Sequence, residues 1–307
     1  MKQKLVECIP NFSEGRRPEV IEAIVGAIQS VAGVLVLNYS SDFDHNRSVV
    51  TFVGTPEAVG EAAFRAIRTA STLIDLEKHQ GVHPRLGATD VVPFVPLSST
   101  TMDECIQLAR KVGRRVGEEL GIPIYLYEEA ATRPERKLLE QVRRGQYEDL
   151  KASIESHPDR APDYGPAQVS NAGATIIGAR NLLVAFNVYL TTDDIKVAQK
   201  IAKVIRASSG GFAHVKALGM LVNGHAQVSM NFTNTSVTPL FPVIETIRRE
   251  AEQLGTGIHH SELIGLISNS ALVDVATSYL QLEGFSREQI LEYKLSQALD
   301  QNDFIFE

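Results

Sequence analysis

The sequence predicts a two-subdomain α/β (α+β) protein, each half a β-sheet of ferredoxin-like β-α-β-β-α-β type with helices packed on it. Three observations predict it. Apolar runs of strand length alternate with stretches of helical periodicity along the chain. The same element order recurs in both halves, without a residue-level repeat. The length, 307 residues, approaches the size at which a single core stops growing. Two such units facing each other leave a cleft, a common seat for small ligands.

In the first half, residues 5–9 read as a short strand. Residues 18–31 read as a helix with Val20, Ile21, Ile24, Ala27, Ile28 and Val31 on one face. Strands are expected at 34–38 and 48–53. Thr55 caps the next helix, with Pro56 at its first position, and Val59, Ala63, Ile67, Ala70 and Ile74 form its stripe. A strand at 91–95 follows. Thr101-Met102-Asp103-Glu104 is a capping box opening a helix that ends near Gly121, before a strand at 122–127. Residues 130–168 change character. They are rich in arginines and acids, hold four prolines and lack regular apolar periodicity after Val142, so they read as a long connector, partly helical around 134–143.

The second half opens with a strand at 182–190. Thr192 caps a helix at 193–207, with Ile195, Ala198, Ile201, Ala202 and Ile205 inward. Strands at 215–222 and 226–232 flank Asn223-Gly224, a strong hairpin signal. A helix at 239–254, a strand at 262–267, a helix at 271–282 and a last helix opened by Ser286 with Gln289 complete the chain.

Composition narrows the function classes. Apolar residues make up 44% and charged residues 22%, which is ample for a core. Without tryptophan and with 7% aromatics, that core is aliphatic. A net charge of −7 argues against a general nucleic-acid binder, though a local basic pocket still suits anionic small molecules. Cys8 and Cys105 offer neither a disulfide framework nor metal-ligand spacing. No run reaches the length of a membrane helix, and the N-terminal apolar run before Pro10 is too short for a signal peptide. The expectation is a cytoplasmic protein with no membrane, nucleic-acid or metal partner.

Four polar clusters carry candidate chemistry. The first, Lys78-His79-Gln80-Gly81-Val82-His83-Pro84-Arg85-Leu86-Gly87, lies between a helix and a strand. His79 and His83 are four apart, but Gly81 and Pro84 break a helix there and no acidic ligand intervenes, which argues against a metal pair. What stands is a structural loop, or a site with His83 as acid–base catalyst and Arg85 holding an anion. The second, residues 40–47, reads as a polar hairpin loop or as a donor–acceptor set of Asp42, Asp44, Asn46 and Arg47 beside it, Arg47 gripping a carboxylate by its fork. The third, Pro10-Asn11-Phe12-Ser13-Glu14-Gly15-Arg16-Arg17, precedes a helix, where capping and anion binding compete as readings. The fourth runs from Pro162-Asp163-Tyr164-Gly165-Pro166 through Ala172-Gly173-Ala174 to Gly178-Ala179-Arg180, with glycines that permit close approach to a flat ligand.

Together these motifs resemble the glutamate formimidoyltransferase family. The resemblance runs through Val6-Glu7-Cys8-Ile9-Pro10-Asn11-Phe12-Ser13-Glu14-Gly15, His45-Asn46-Arg47-Ser48, Gly81-Val82-His83-Pro84-Arg85-Leu86-Gly87-Ala88, Ala226-Gln227-Val228-Ser229-Met230-Asn231 and Ser261-Glu262-Leu263-Ile264-Gly265-Leu266, in the family's order. It implies two subdomains, 1–180 and 181–307, a homodimer, and tetrahydrofolate as co-substrate in a tunnel between the subdomains. The last histidine of the family's His-His-Gly-Glu-His-Pro-Arg segment is its catalytic residue, which falls on His83; Gln80 and Val82 replace the second His and the Glu. Ser40 stands where the animal enzymes have an Asp linked to catalysis, with Asp42 and Asp44 close by, and Ser268 where a Pro is usual. Folate binding falls on Gly165, Pro166, Ala167, Gln168, Val169, Ser170, Asn171, Ala172 and Gly173, with Gly178 and Arg180 joining it. Formimidoylglutamate is the implied donor, with Asp42, Asp44, Asn46, Arg47 and Arg85 as its contacts and His83 as proton shuttle. A separate cyclodeaminase is a candidate partner. Rival readings are a non-catalytic folate-binding protein and a related activity on 5-formyltetrahydrofolate.

Overall fold

The computed structural model describes residues 3–298, so the outermost residues of both expected subdomain ranges, 1–2 and 299–307, lie outside the described residues. The chain divides into two units, one closing at Leu182 and one opening at Leu183. Each is built around its own sheet.

In the first unit, β1 (Val6–Cys8) and β2 (Asn11–Phe12) are one strand interrupted at Pro10, because proline has no N–H for the ladder. Both halves pair with β4 (Arg47–Gly54) on one side and β5 (Thr89–Pro96) on the other. β3 (Val34–Asp42) pairs with β4 at the edge. Helix α1 (Pro18–Gln29) joins β2 to β3, and α2 (Pro56–Leu73) joins β4 to the segment before β5. The spatial order is therefore second, third, first, fourth, the ferredoxin-like arrangement the repeated element order predicts. Two parallel strands extend it beyond β5: β7 (Thr175–Ala179), then β6 (Ile124–Glu128), reached through α3 (Met102–Leu120).

The helices α1, α2 and α3 start where the sequence signals. Thr55 accepts from the Ala58 N–H, and Thr101 and Glu104 close a reciprocal capping box. Their stripes bury Ile24, Ile28, Ile67 and Val112 against Phe52, Phe94 and Leu126, the main core. Cys8 and Cys105 are buried in it as free thiols, and burial pushes both thiols up, Cys105 to about 11.

A second, smaller core covers the other face of the β5–β7–β6 region. There α4 (Leu139–Val142) and α5 (Gln146–Ser153) lay Val142 and Leu150 on Tyr125, Tyr127 and Ile176. The connector is thus an ordered cover, pinned by a buried ion pair. Arg136 reaches Asp163 at 2.6 Å, and the same carboxylate accepts from the Leu126 N–H at 2.8 Å.

The second unit repeats the arrangement without extension. β8 (Val184–Leu190), α6 (Ile195–Ile205), β9 (Val215–Val222), β10 (His225–Phe232), α7 (Leu240–Gln253) and β11 (Ile258–Ile264) form a four-stranded sheet of order β11-β8-β10-β9, antiparallel throughout. Asn223 and Gly224, both at positive φ, make the two-residue turn between β9 and β10. Helices α8 (Asn269–Leu280) and α9 (Leu291–Ala298) follow.

Some expectations move. The strand expected at 262–267 begins at Ile258, because His259, His260, Ser261 and Glu262 are held by pairing with β8 and carry no apolar alternation. The polar loop expected at 40–47 is mostly strand. Asp42 pairs with Arg47, leaving only residues 43–46 as the turn. β7 and α5 have no counterpart in the sequence reading.

Asp163→Ala strands Arg136 as a buried charge, so unfolding in urea should lose about 3–5 kcal/mol of stability. A loss below about 1 kcal/mol contradicts the pinning role.

Candidate functional site

The site is assembled by the turn between β3 and β4, the loop before β5 and the start of α5. The two loops interlock through backbone and amide contacts. Asn46 accepts from the Gly15 N–H at 2.9 Å and donates to the Gln80 carbonyl at 3.0 Å. Gly81 lies so close that a Cβ there would stand 2.3 Å from the His45 carbonyl oxygen. Asn46 is therefore a latch between loops.

His79 and His83 have different environments. The Asn46 carbonyl lies 2.9 Å from His79 Nε2, and Arg85 Nε donates to His79 Nδ1 at 3.2 Å. A carbonyl only accepts, so Nε2 carries the proton and the ring is a neutral strut. Burial, with Arg85 adding to it, lowers its pKa. His83 Nδ1 lies 2.7 Å from the Pro84 carbonyl. By the same argument Nδ1–H donates there, and Nε2 keeps its lone pair. Burial, then Arg47 and Arg143, bring the His83 imidazole from its ordinary 6.5 to about 3, against Asp90 and the Pro84 carbonyl. His83 as a residue is half-buried. A neutral ring with one free basic nitrogen can accept a proton and return it.

Beneath it lies a buried charge cluster. Asp90 is wholly buried; its Oδ2 accepts from Arg47 at 2.8 Å and from Arg143, and its Oδ1 accepts from the Leu86 N–H at 2.8 Å. Burial pushes the Asp90 carboxyl up, but Arg143 and Arg47 pull harder and hold it at about 2. Burial, with Arg143 beside it, brings the Arg47 guanidinium down to about 10, still charged at neutral pH. Arg47 also donates to Asn11 Oδ1 at 3.1 Å, which gives the cluster after β1 its place. Ser13 donates to the Gly87 carbonyl at 2.7 Å in the same loop system.

Arg85 differs from the free anion holder expected of it. Its terminal nitrogens reach the two Glu148 oxygens at 2.8 and 2.6 Å, a forked pair that leaves little for a ligand. With Glu77, His79, Gln80 and Glu148 it lines an open cavity of about 440 Å³. Asp42 faces His45: its carboxylate accepts from the His45 backbone N–H at 2.7 Å and lies 2.9 Å from Nδ1. Burial raises the Asp42 carboxyl, but these contacts outweigh it and the net shift is downward. Asp44 is exposed, and its backbone carbonyl accepts from Val82 at 3.4 Å.

The expected folate stretch divides in two. Gly165 lies against Gly117 of α3 and the Ile122 carbonyl; Gly165, Pro166, Ala167 and Gln168 are exposed and Val169 half-buried. Ser170, Asn171, Ala172 and Gly173 return to the His83 loop. Ala172 accepts from the Ala88 N–H at 2.8 Å, and the Leu86 carbonyl accepts from Ala174 at 3.0 Å. Gly173 sits at φ +69 with the Leu86 carbonyl oxygen 2.4 Å from where a Cβ would be. Gly178 is buried in β7 against Tyr127, and Arg180, at its end, donates to the Asn181 carbonyl at 2.9 Å. Among the described residues, no group of three or more His, Cys, Asp or Glu is placed to hold a metal, and no helix is long and apolar enough to cross a membrane.

Sequence reasoning missed Asp90, Arg143 and Glu148, and gave His45, within its polar cluster, no role of its own. His45 stands with its ring edge-on to His83, centroids 6.0 Å apart. Asp90 left one signal, a lone acid opening an otherwise apolar strand.

The family descriptions that match are the formiminotransferase domain, N-terminal subdomain, over residues 5–180, and the formiminotransferase domain over residues 185–297. The chain belongs to the formiminotransferase family. A glutamate formimidoyltransferase of Streptococcus pyogenes serotype M1 is 51% identical over 95% of this chain and 99% of its own length. A glutamate formimidoyltransferase of Thermoplasma acidophilum is 48% identical over 96% and 98%. The formimidoyltransferase-cyclodeaminase of Rattus norvegicus is 43% identical over 91% of this chain and 53% of its own length. The formiminotransferase match runs through every loop of the site just described.

His83 should stay neutral, with Nε2 unprotonated, from pH 8 down to about pH 5 in nitrogen-15 spectra of the imidazoles. A midpoint near 6.5 contradicts the description. Because the folded ring binds its proton more weakly than the unfolded one, this residue subtracts stability progressively as pH falls from 6.5 towards 3.

Proposed function

We propose that this chain moves the formimidoyl group from N-formimidoyl-L-glutamate to N5 of tetrahydrofolate, releasing L-glutamate and 5-formimidoyltetrahydrofolate. The observation that carries the reading is His83: a neutral imidazole with a free Nε2 above a cationic cluster, in a formiminotransferase whose relatives at 48–51% identity are named glutamate formimidoyltransferases.

The chemistry asks for what this loop offers. As N5 bonds to the amidine carbon it becomes positively charged and must lose a proton. The glutamate nitrogen leaves well only if it gains one. His83 Nε2 takes the first proton and returns it to the departing nitrogen as the carbon–nitrogen bond breaks, so the ring ends as it began. Arg47, with Asp42, Asp44 and Asn46 in the adjoining turn, orients the amino-acid substrate, and much of the rate comes from that positioning. Arg85 serves through its Glu148 pair and its bond to His79, which hold the loop. Gly165, Pro166, Ala167, Gln168, Val169, Ser170, Asn171, Ala172, Gly173, Gly178 and Arg180 are the proposed folate contacts. Ala172 and Gly173 support this, being stitched to the loop that carries His83.

The same reading makes 1–180 and 181–307 the two formiminotransferase subdomains of a cytoplasmic homodimer acting in histidine degradation. It requires no metal. A cyclodeaminase, the activity joined to this one in the rat relative's name, is the proposed consumer of the product.

A direct assay with formimidoylglutamate and tetrahydrofolate tests this. Wild type should transfer. His83→Ala should lower turnover about 10²–10⁴-fold while keeping its affinity for tetrahydrofolate. Folate binding without turnover in wild type, or transfer from formyl compounds alone, overturns the assignment. Near-normal turnover in His83→Ala overturns the role of the histidine.

A further inference from the structure

We propose that Arg143, paired with Arg47 across Asp90, is the seat for the α-carboxylate of the amino-acid substrate. The proposal rests on the transfer reading above and names the part of the substrate this site recognises.

The argument begins with charge. Two guanidiniums meet one carboxylate in a place where Asp90 is wholly buried and Arg47 only 8% exposed. That arrangement carries a surplus positive charge in a poorly solvated site, and such a charge is costly unless an anion answers it. The donors are also unevenly used. Arg47 is committed to Asp90 and Asn11. Among the described residues, the side chain of Arg143 makes one hydrogen bond, to Asp90, and its buried Nε has no partner. A guanidinium has five N–H donors, so Arg143, with one used against two for Arg47, has the more capacity to spare.

The ligand follows from where the cluster lies. Asp90 Oδ1 ties down the Leu86 N–H, three residues after His83. Arg47 and Arg143 are the cations whose fields bear most on the His83 ring. In formimidoylglutamate, the nitrogen that must receive the proton is bonded to Cα, and the α-carboxylate is bonded to the same carbon. The γ-carboxylate lies two methylenes further away. An anion seat beside His83 therefore suits the α-carboxylate. Its arrival also neutralises the surplus charge that weakens the imidazole as a base, so binding and activation are joined in one step. Arg85 was the sequence's choice for such a role, but its fork is taken by Glu148.

The test compares N-formimidoyl-L-glutamate with its α-amide and its γ-amide. In wild type, the α-amide should raise KM about 10–100-fold, the usual size of a lost charge-assisted bond, and the γ-amide should do less. Arg143→Met should raise KM for formimidoylglutamate by a similar factor, leave KM for tetrahydrofolate within about twofold, and erase the preference for the acid over the α-amide. A variant that keeps that preference overturns the proposal. Should Arg143→Met fail to fold, wild type decides alone: a greater penalty from the γ-amide than from the α-amide overturns it. Should wild type transfer nothing, the functional reading fails separately. Calorimetric binding of L-glutamate against its α-amide then tests the seat, and equal affinities reject it.

Discussion

One carboxylate organises this site. Asp90 lies at the start of a central strand with no exposure to water, and its two oxygens receive Arg47 from β4, Arg143 from the connector and the backbone N–H of Leu86. These partners come from three distant stretches of chain. Without the carboxylate, Arg47 and Arg143 would face each other unanswered in a poorly solvated place, and the loop bearing His83 would lose its tether. Partner number decides the balance: burial alone would favour a protonated acid, but two guanidiniums and an amide make the ion the stable form.

The two histidines of the loop show how identical side chains acquire separate duties. His79 is saturated, donating from one nitrogen and accepting at the other, so it fixes the loop and has no free lone pair to offer. Among the described residues, His83 uses only Nδ1–H on its neighbour's carbonyl, and Nε2 remains available. The arginines divide in the same way. Arg85 is clamped by Glu148, whereas Arg143 is under-used. Satisfied groups hold the geometry, and unsatisfied ones are left for chemistry. Gln80 and Val82, in the same loop, bear little on this division. Gln80 contributes a backbone carbonyl to Asn46, and Val82 is exposed.

Much of the fold was legible because apolar periodicity and caps are local signals. The Thr101–Glu104 box, the Thr55 cap and the Asn223-Gly224 turn all form as the sequence indicates. β7 was not legible. Five residues, Thr175-Ile176-Ile177-Gly178-Ala179, buried between two parallel strands far away in sequence, carry no alternation to mark them. In the site, His83, Arg47 and Asn46 stood out through unusual composition, and the loops that carry them do meet. Arg143 did not stand out, since it sits in a charge-rich connector whose local pattern says nothing of its folding back to Asp90. Arg85 and Glu148 are 63 residues apart, so their pairing was equally hidden.

The double variant of Asp90 and Arg143 tests the central interaction most directly. Unfolding free energies are measured for Asp90→Asn, Arg143→Met and the two together. Asp90→Asn alone should cost about 3–5 kcal/mol, because it leaves two buried guanidiniums without their shared anion. Adding Arg143→Met should recover part of that loss by removing one of them. Strictly additive costs, or a double variant less stable than either single one, would contradict the account.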